Sequence, residues 1–269
     1  MTKPFRRYAA VVLASLGFAV PASATTFSID YTDLWYNAPA ESQAGWGVNL
    51  IQQNEIIFTT LFVYGTDGSP RWFVGPNTAS SGTNSFSGPL YTVTGSYFGA
   101  PWTGATGTQV GNINFTFHSD STATLTYNVG AVTVTKSIVR QGFRTDVLTG
   151  NFIGGTTARG PACPNGILIS GELTVNHSNP PISMSVQFVN SNQQVGQCNY
   201  TGNYSQVGSL GAINNGQYTC NIGGTPNALV GTFSIAEITN SRNGFNGRIT
   251  GQDQFCSYTG FFGGIKDVF

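Results

Sequence analysis

Along most of the chain, apolar residues alternate with Thr, Ser, Asn and Gln at a period of two rather than recurring every three or four positions. The segment "TATLTYNV" (122–129) is the plainest case: Ala123, Leu125, Tyr127 and Val129 share one parity, and Thr122, Thr124, Thr126 and Asn128 the other. Successive side chains of a strand point to opposite faces, so this pattern describes a strand with one face buried and one in water. Similar runs, bounded by clusters of Gly, Asn, Asp and Pro, recur to the carboxyl end, and no long stretch carries a helical period. The pattern predicts an all-β chain.

The predicted strands form two sets. The first comprises "GWGVNLIQQ", "EIIFTTLFVYG", "RWFVG", "SFSGPLYTV", "NINFTFHS", "ATLTYNV" and "VTVTKSIVRQ", with tight turns at Gln53-Asn54, "SDS" and "GA". The Gly/Pro/Thr-rich segment 94–109 reads as the longest loop and carries Tyr97, Phe98 and Trp102. After "RTDVLTG" the character changes: all four tryptophans precede this point and all four cysteines follow it. A boundary near Thr145 divides the chain into a signal segment (1–24), a Trp-rich β domain (25–144) and a Cys-containing β domain (145–269). The second domain accommodates eight strands with short connections, near 149–154, 167–176, 182–189, 196–206, 212–220, 229–238, 244–251 and 255–262. Two consecutive antiparallel domains are expected, each an up-and-down barrel, with the two-sheet sandwich as the alternative.

The amino end follows a different logic. "MTKPFRRYAAVVLASLGFAVPASA" has a basic start, a short apolar run and a terminal Ala22-Ser23-Ala24, the pattern of a cleaved secretion signal. Losing Lys3, Arg6 and Arg7 would leave eight basic residues against 11 acidic ones, a net charge of −3. With no Lys/Arg cluster and only 8% charged residues, the mature chain suits neither nucleic acid nor anionic lipid headgroups as partners, and membrane insertion after signal removal is not expected. Disorder is excluded by 40% apolar and 13% aromatic content.

An even set of cysteines in an exported chain reads as disulfides. Cys198 and Cys220 are equidistant from Ser209, the middle of "VGSLG", and should meet across that hairpin; Cys163 and Cys256 would then join where the first and last strands close. Cys163–Cys198 with Cys220–Cys256 is the alternative. No C-x-x-C, H-E-x-x-H, G-x-S-x-G or phosphate-loop motif occurs, so no metal and no cofactor is predicted. "CNYTGNYSQ" (198–206) and "CSYTGFFGG" (256–264) repeat a Cys-x-Tyr-Thr-Gly unit whose tyrosine should face inward, with the glycine at a sheet bend.

His118 and His177 both read as turn residues, which leaves carboxylates as the acid–base candidates: Glu41, with Asp33 or Glu55, clustered near the amino end of the mature chain, where a glycosidase would need two placed about 5–10 Å apart. The aromatic residues offer a second chemistry. Trp35, Trp46, Trp72 and Trp102, with Tyr36 and Tyr97, either fill a core or present flat surfaces for an uncharged glycan or small apolar ligand, with Asn and Gln supplying directional hydrogen bonds. Trp102, flanked by Gly and Pro, is the strongest surface candidate.

The run "LWYN…ES…GWGVNLIQQ…IIFTTLFVYGTDGSPRWFVGP" resembles a group of largely uncharacterised secreted bacterial proteins with a W-[WY]-N-x-x-E-S-G-W-G segment, followed by a Y-x-x-x-G-x-P-x-W hairpin that Tyr64, Gly68, Pro70 and Trp72 match. The C-x-Y-T-G pattern resembles the domain that sometimes follows. The chain departs from the motif by a longer stretch from Asn37 to Glu41 and by Gln43-Ala44 inserted before Gly45. The resemblance implies export and a β fold and transfers no activity. Three functions stay open: a glycan or apolar-ligand binding protein, a carboxylate-based hydrolase, and a structural protein of the envelope or matrix.

Overall fold

Every segment singled out by its alternation forms a strand in a computed structural model, which describes residues 29–40, 42–161, 163–178 and 181–267. The signal segment 1–24 and Glu41 lie outside the described residues. The first eight strands are β1 (Asp33–Asn37), β2 (Gly47–Gln53), β3 (Ile56–Tyr64), β4 (Pro70–Ser80), β5 (Ser85–Gly95), β6 (Ala105–Phe117), β7 (Thr122–Val129) and β8 (Val132–Arg140). They pair in sequence order, and β1 joins both β2 (Trp35 opposite Val48) and β8 (Trp35 opposite Arg140), which closes the sheet into a barrel. The second eight are β9 (Gly150–Gly160), β10 (Cys163–Asn176), β11 (Ile182–Val189), β12 (Val195–Val207), β13 (Leu210–Ile222), β14 (Thr225–Ser241), β15 (Gly244–Asp253) and β16 (Ser257–Lys266). β9 pairs with both β10 and β16 and closes a second barrel. The chain is thus two consecutive antiparallel barrels rather than sandwiches, and closure leaves neither sheet an open edge.

Three local expectations are corrected. The loop 94–109 is shorter: Thr94 pairs with Thr106 and Thr92 with Thr108, so β-branched threonines extend the ladder and leave only 96–104 as loop. The β2–β3 turn is centred on Asn54-Glu55, with Asn54 at φ 53°, a conformation that asparagine tolerates. The β12–β13 turn is Gly208-Ser209, not a turn centred on Ser209.

The disulfides are Cys163–Cys256 and Cys198–Cys220. Cys198 stands directly opposite Cys220, with Cα atoms 3.9 Å apart. A two-residue turn alone would misalign them by one position. A bulge between Thr201 and Asn203, with Asn215 at φ 52° supplying the extra residue of β13, restores the register. Disulfides persist in oxidising compartments. Tyr200 and Tyr258 of the repeated Cys-x-Tyr-Thr-Gly unit both point inward and are buried.

Each interior is packed with side chains. In the first barrel Trp35, Leu50, Ile57, Leu61, Phe86, Phe115 and Leu125 are fully buried, and the Tyr31 and Phe117 rings stack at 3.5 Å. In the second, Tyr200 meets Tyr218, Phe233 and Phe262 at centroid distances of 5.3–5.5 Å.

Strict alternation of strand direction gives each barrel two distinct ends. The end of the first barrel where β1 starts and β8 finishes faces the second barrel; the opposite end carries the β1–β2, β3–β4 and β5–β6 loops. In the second barrel all four cysteines lie toward the end remote from this junction. Asp33 joins the two: its Oδ2 accepts hydrogen bonds from the N–H and the hydroxyl of Ser209, each at 2.9 Å, and from Arg140 Nη1 at 3.1 Å. Gln206 adds contacts to the linker, accepting from the Asp146 N–H (2.7 Å) and donating to the Arg144 carbonyl (3.1 Å). Asp33→Ala leaves the buried Arg140 guanidinium without its counter-ion and should cost roughly 3–5 kcal/mol in urea unfolding. A loss under ~1 kcal/mol would contradict a structural role for the pair.

Candidate functional site

The sequence of β3, "IIFTTLFVY", is apolar at both parities. A closed barrel has one interior, so only one parity is buried: Ile57, Thr59 and Leu61 point inward, and Ile56, Phe58, Phe62 and Tyr64 face out. Neighbouring strands continue this outer row, with Ile51 opposite Phe58, Trp72 opposite Phe62, and Val74 bridging Thr60 to Tyr91. Trp72 is 50% exposed. Residues directly opposite across strands lie about 5 Å apart, so Phe62 and Trp72 form one broad aromatic surface.

The loops at the same end expose further aromatic rings. Trp102 is 72% exposed, with the end of its indole standing over Gly95, and Tyr97 and Phe98 lie with ring centroids 4.5 Å apart, both largely in solvent. Tyr64 donates a hydrogen bond to the Ala44 carbonyl at 3.2 Å, lying so close over Gly45 that a Cβ there would collide with its hydroxyl. Gly45 also adopts φ 81°, so both conformation and space demand glycine. Among the described residues charge at this end is sparse: an exposed Arg71–Asp67 pair at 3.7 Å on the β3–β4 turn, and Lys136, which donates to Gln43 Oε1 at 2.6 Å.

Several residues expected at the site lie elsewhere. Trp35 is buried in the core: its indole donates to the Tyr31 carbonyl at 3.1 Å, meets Phe117 edge-on, and has the Arg140 guanidinium 5.0 Å from its ring centre. It is no stacking surface for a ligand. Trp46 is also buried, with Lys136 Nζ 5.0 Å over its ring; its indole N–H has no hydrogen-bond partner among the described residues. Burial lowers the Lys136 pKa. Tyr36 is half-buried on β1, opposite Val139. Trp72, Trp102 and Tyr97 are the exposed members of the expected set.

Of the carboxylate candidates Glu41 lies outside the described residues, and the other two, Asp33 and Glu55, do not come together. Asp33 is occupied by Arg140 and Ser209 at the barrel junction. It stands opposite Leu50, five residues before Glu55 in the β2–β3 hairpin, which amounts to well over 10 Å along the strand. His118 holds Thr124 at 2.8 Å, and His177 accepts from the Leu148 N–H at 3.3 Å while packing edge-on against Tyr204; both act within the fold.

One carboxylate without a sequence signal stands out. Glu237, on β14, has φ 54° without being glycine, at a bulge between Ala236 and Thr239. It lies 3.9 Å from Arg248 and faces the junction. Burial raises its pKa, with Asp120 adding to the rise and Arg248 and Arg140 opposing it.

The chain matches no family model, no curated protein and no solved structure. The site therefore rests on geometry.

The Glu237 environment makes a signed prediction. An acid whose folded pKa is raised binds its proton more tightly in the folded chain, so its contribution is full at low pH and is lost as pH rises from its ordinary 4.5 through the folded value. Glu237→Gln should match wild type in urea midpoint near pH 4 and exceed it at pH 7. A variant less stable than wild type at pH 7 would contradict the dominance of burial over the Arg248 attraction.

Proposed function

We propose that the mature chain is an exported binding protein that holds a neutral glycan against the outer aromatic face of the first barrel. The observation that carries this reading is the pairing of Trp72 with Phe62 on adjacent strands, both open to solvent, at the end where Tyr64, Tyr97 and Trp102 are also exposed. Large exposed apolar patches rimmed by polar groups mark interaction sites. Sugar rings offer apolar C–H faces that stack on such a surface, and the amide of Asn49, on the outward parity of β2 and opposite Thr60, is placed to meet hydroxyls. The low charge of this face suits an uncharged polymer. The filled interior favours this surface mode over an apolar ligand enclosed inside the barrel.

Three further features support export. The first 24 residues read as a secretion signal, and the two disulfides suit an oxidising compartment such as a periplasm or cell exterior. The resemblance of residues 34–140 to secreted bacterial proteins points the same way.

Titration calorimetry with cellohexaose, maltohexaose and hexa-N-acetylchitohexaose tests the reading. Trp72→Ala and Trp102→Ala should each weaken binding about tenfold or more, the scale of an interface hot spot. Trp35→Phe should leave affinity unchanged while lowering stability. Affinity that survives both surface substitutions, or no binding of any of the three glycans, would overturn the proposal.

A further inference from the structure

We infer that the second barrel carries its own glycan groove, a glycine-floored trough on its outer wall that runs past Phe261 into the cleft between the barrels. The choice of a glycan as occupant rests on the reading proposed for the first barrel; the groove itself rests on the second barrel alone.

The trough is built by strand register. On β16 the outward residues are Phe261, Gly263 and Ile265; on β9 they are Ile153, Gly155 and Thr157. Gly263 stands opposite Gly155, so two adjacent strands lack an outward side chain at the same level, between flanking rows of large residues. This gap is imposed by the backbone: a Cβ on Gly155 would run into the Ile169 carbonyl, and one on Gly263 into the Phe245 carbonyl. Close strand approach at this sharply coiled wall demands glycine, and the glycines leave the floor bare. The resulting cavity has a volume of about 490 Å³, within the range of small-molecule sites.

Its lining is of one chemical kind. Asn243, Asn246, Thr157, Ser170 and Ser241 supply neutral groups that both donate and accept, and Phe261, 57% exposed, and Ile265 supply apolar walls. No charged side chain lines it among the described residues. A peptide strand would gain no backbone ladder there, because β9 and β16 are already paired on both sides. A hydroxyl-rich, uncharged ring, stacked on Phe261 and bonded by the amides and hydroxyls, satisfies every surface of the trough.

The groove does not stop at Phe261. Thr239, Asn246 and Phe261 also border a second cavity of about 390 Å³ that reaches Glu237, Arg248 and, from the first barrel, Asp30. The two cavities share a rim, so an occupant longer than one ring passes from the neutral trough over Phe261 toward the Glu237–Arg248 pair, whose oxygens and N–H groups are hydrogen-bonding partners for hydroxyls.

All four tryptophans belong to the first barrel, which separates the two sites experimentally. Calorimetry on the full chain, with the same three hexasaccharides, should give two sites per chain for the glycan that binds. Trp72→Ala/Trp102→Ala should retain one site without a change in the remaining tryptophan fluorescence. Adding Phe261→Ala should weaken that residual site tenfold or more, and Asn246→Ala should weaken it as well, with unfolding midpoints close to the parent because both side chains are exposed. Binding abolished by the first-barrel substitutions alone overturns the groove and leaves the first-barrel site standing. Binding lost on Phe261→Ala alone, and unaffected by the first-barrel substitutions, supports the groove and overturns the first-barrel site. Residual binding unmoved by Phe261→Ala overturns the groove, and no binding by wild type overturns both.

Discussion

A guanidinium taken almost wholly out of water must find acceptors for its N–H groups, and Arg140 finds them in four places at once. It donates to the backbone carbonyls of Asp30, Thr32 and Asp120 and to the Asp33 carboxylate, while its flat face lies over Trp35. Those contacts tie the last strand of the first barrel to its first strand, to the segment before it and to the β6–β7 turn. Asp33, itself held by Arg140, then accepts from Ser209 of the second barrel. Burial lowers the pKa of Arg140 and the Asp33 pair opposes the shift, so the ion pair offsets part of the desolvation. Closure of the first barrel and its seating on the second depend on the same side chain.

With that end of the first barrel sealed and its interior filled, the outer wall and the remote loops present the exposed side chains. The aromatic residues divide accordingly. Trp35 and Trp46 serve packing, and Trp72, Trp102 and Tyr97 are presented to solvent at the end farthest from the junction. The second barrel obeys a similar rule by different means. Where strands approach too closely for side chains, as at Gly155 and Gly263, the outer wall becomes concave. One barrel thus offers projecting rings and the other a trough, and both surfaces are nearly free of charge.

Much of the fold was legible from parity. Period-two alternation identified strands such as 122–129, and the cysteine spacing identified the pairing of Cys198 with Cys220, although an unforeseen bulge at Asn215 was needed to align them. Parity failed where large residues are consecutive. In Leu34-Trp35-Tyr36 and Trp72-Phe73-Val74 either parity could face the core, so the buried and exposed tryptophans could not be told apart. The double apolar parity of β3 did carry a signal, since a closed barrel buries only one of the two. Asp33 gave none: its partners lie 107 and 176 positions away, and only the fold brings them together. The positive φ of Glu237 is likewise set by a bulge invisible in "SIAEITN".

The central claim is that exposed rings of the first barrel, and not its buried ones, meet a neutral glycan. Each of the four tryptophans contributes one indole N–H resonance in a ¹⁵N-labelled sample of the full chain. On titration with the hexasaccharide that binds, the resonances of Trp72 and Trp102 should shift while those of Trp35 and Trp46 stay in place. Shifts confined to Trp35 or Trp46, or four unmoved resonances at saturating glycan, would contradict the account.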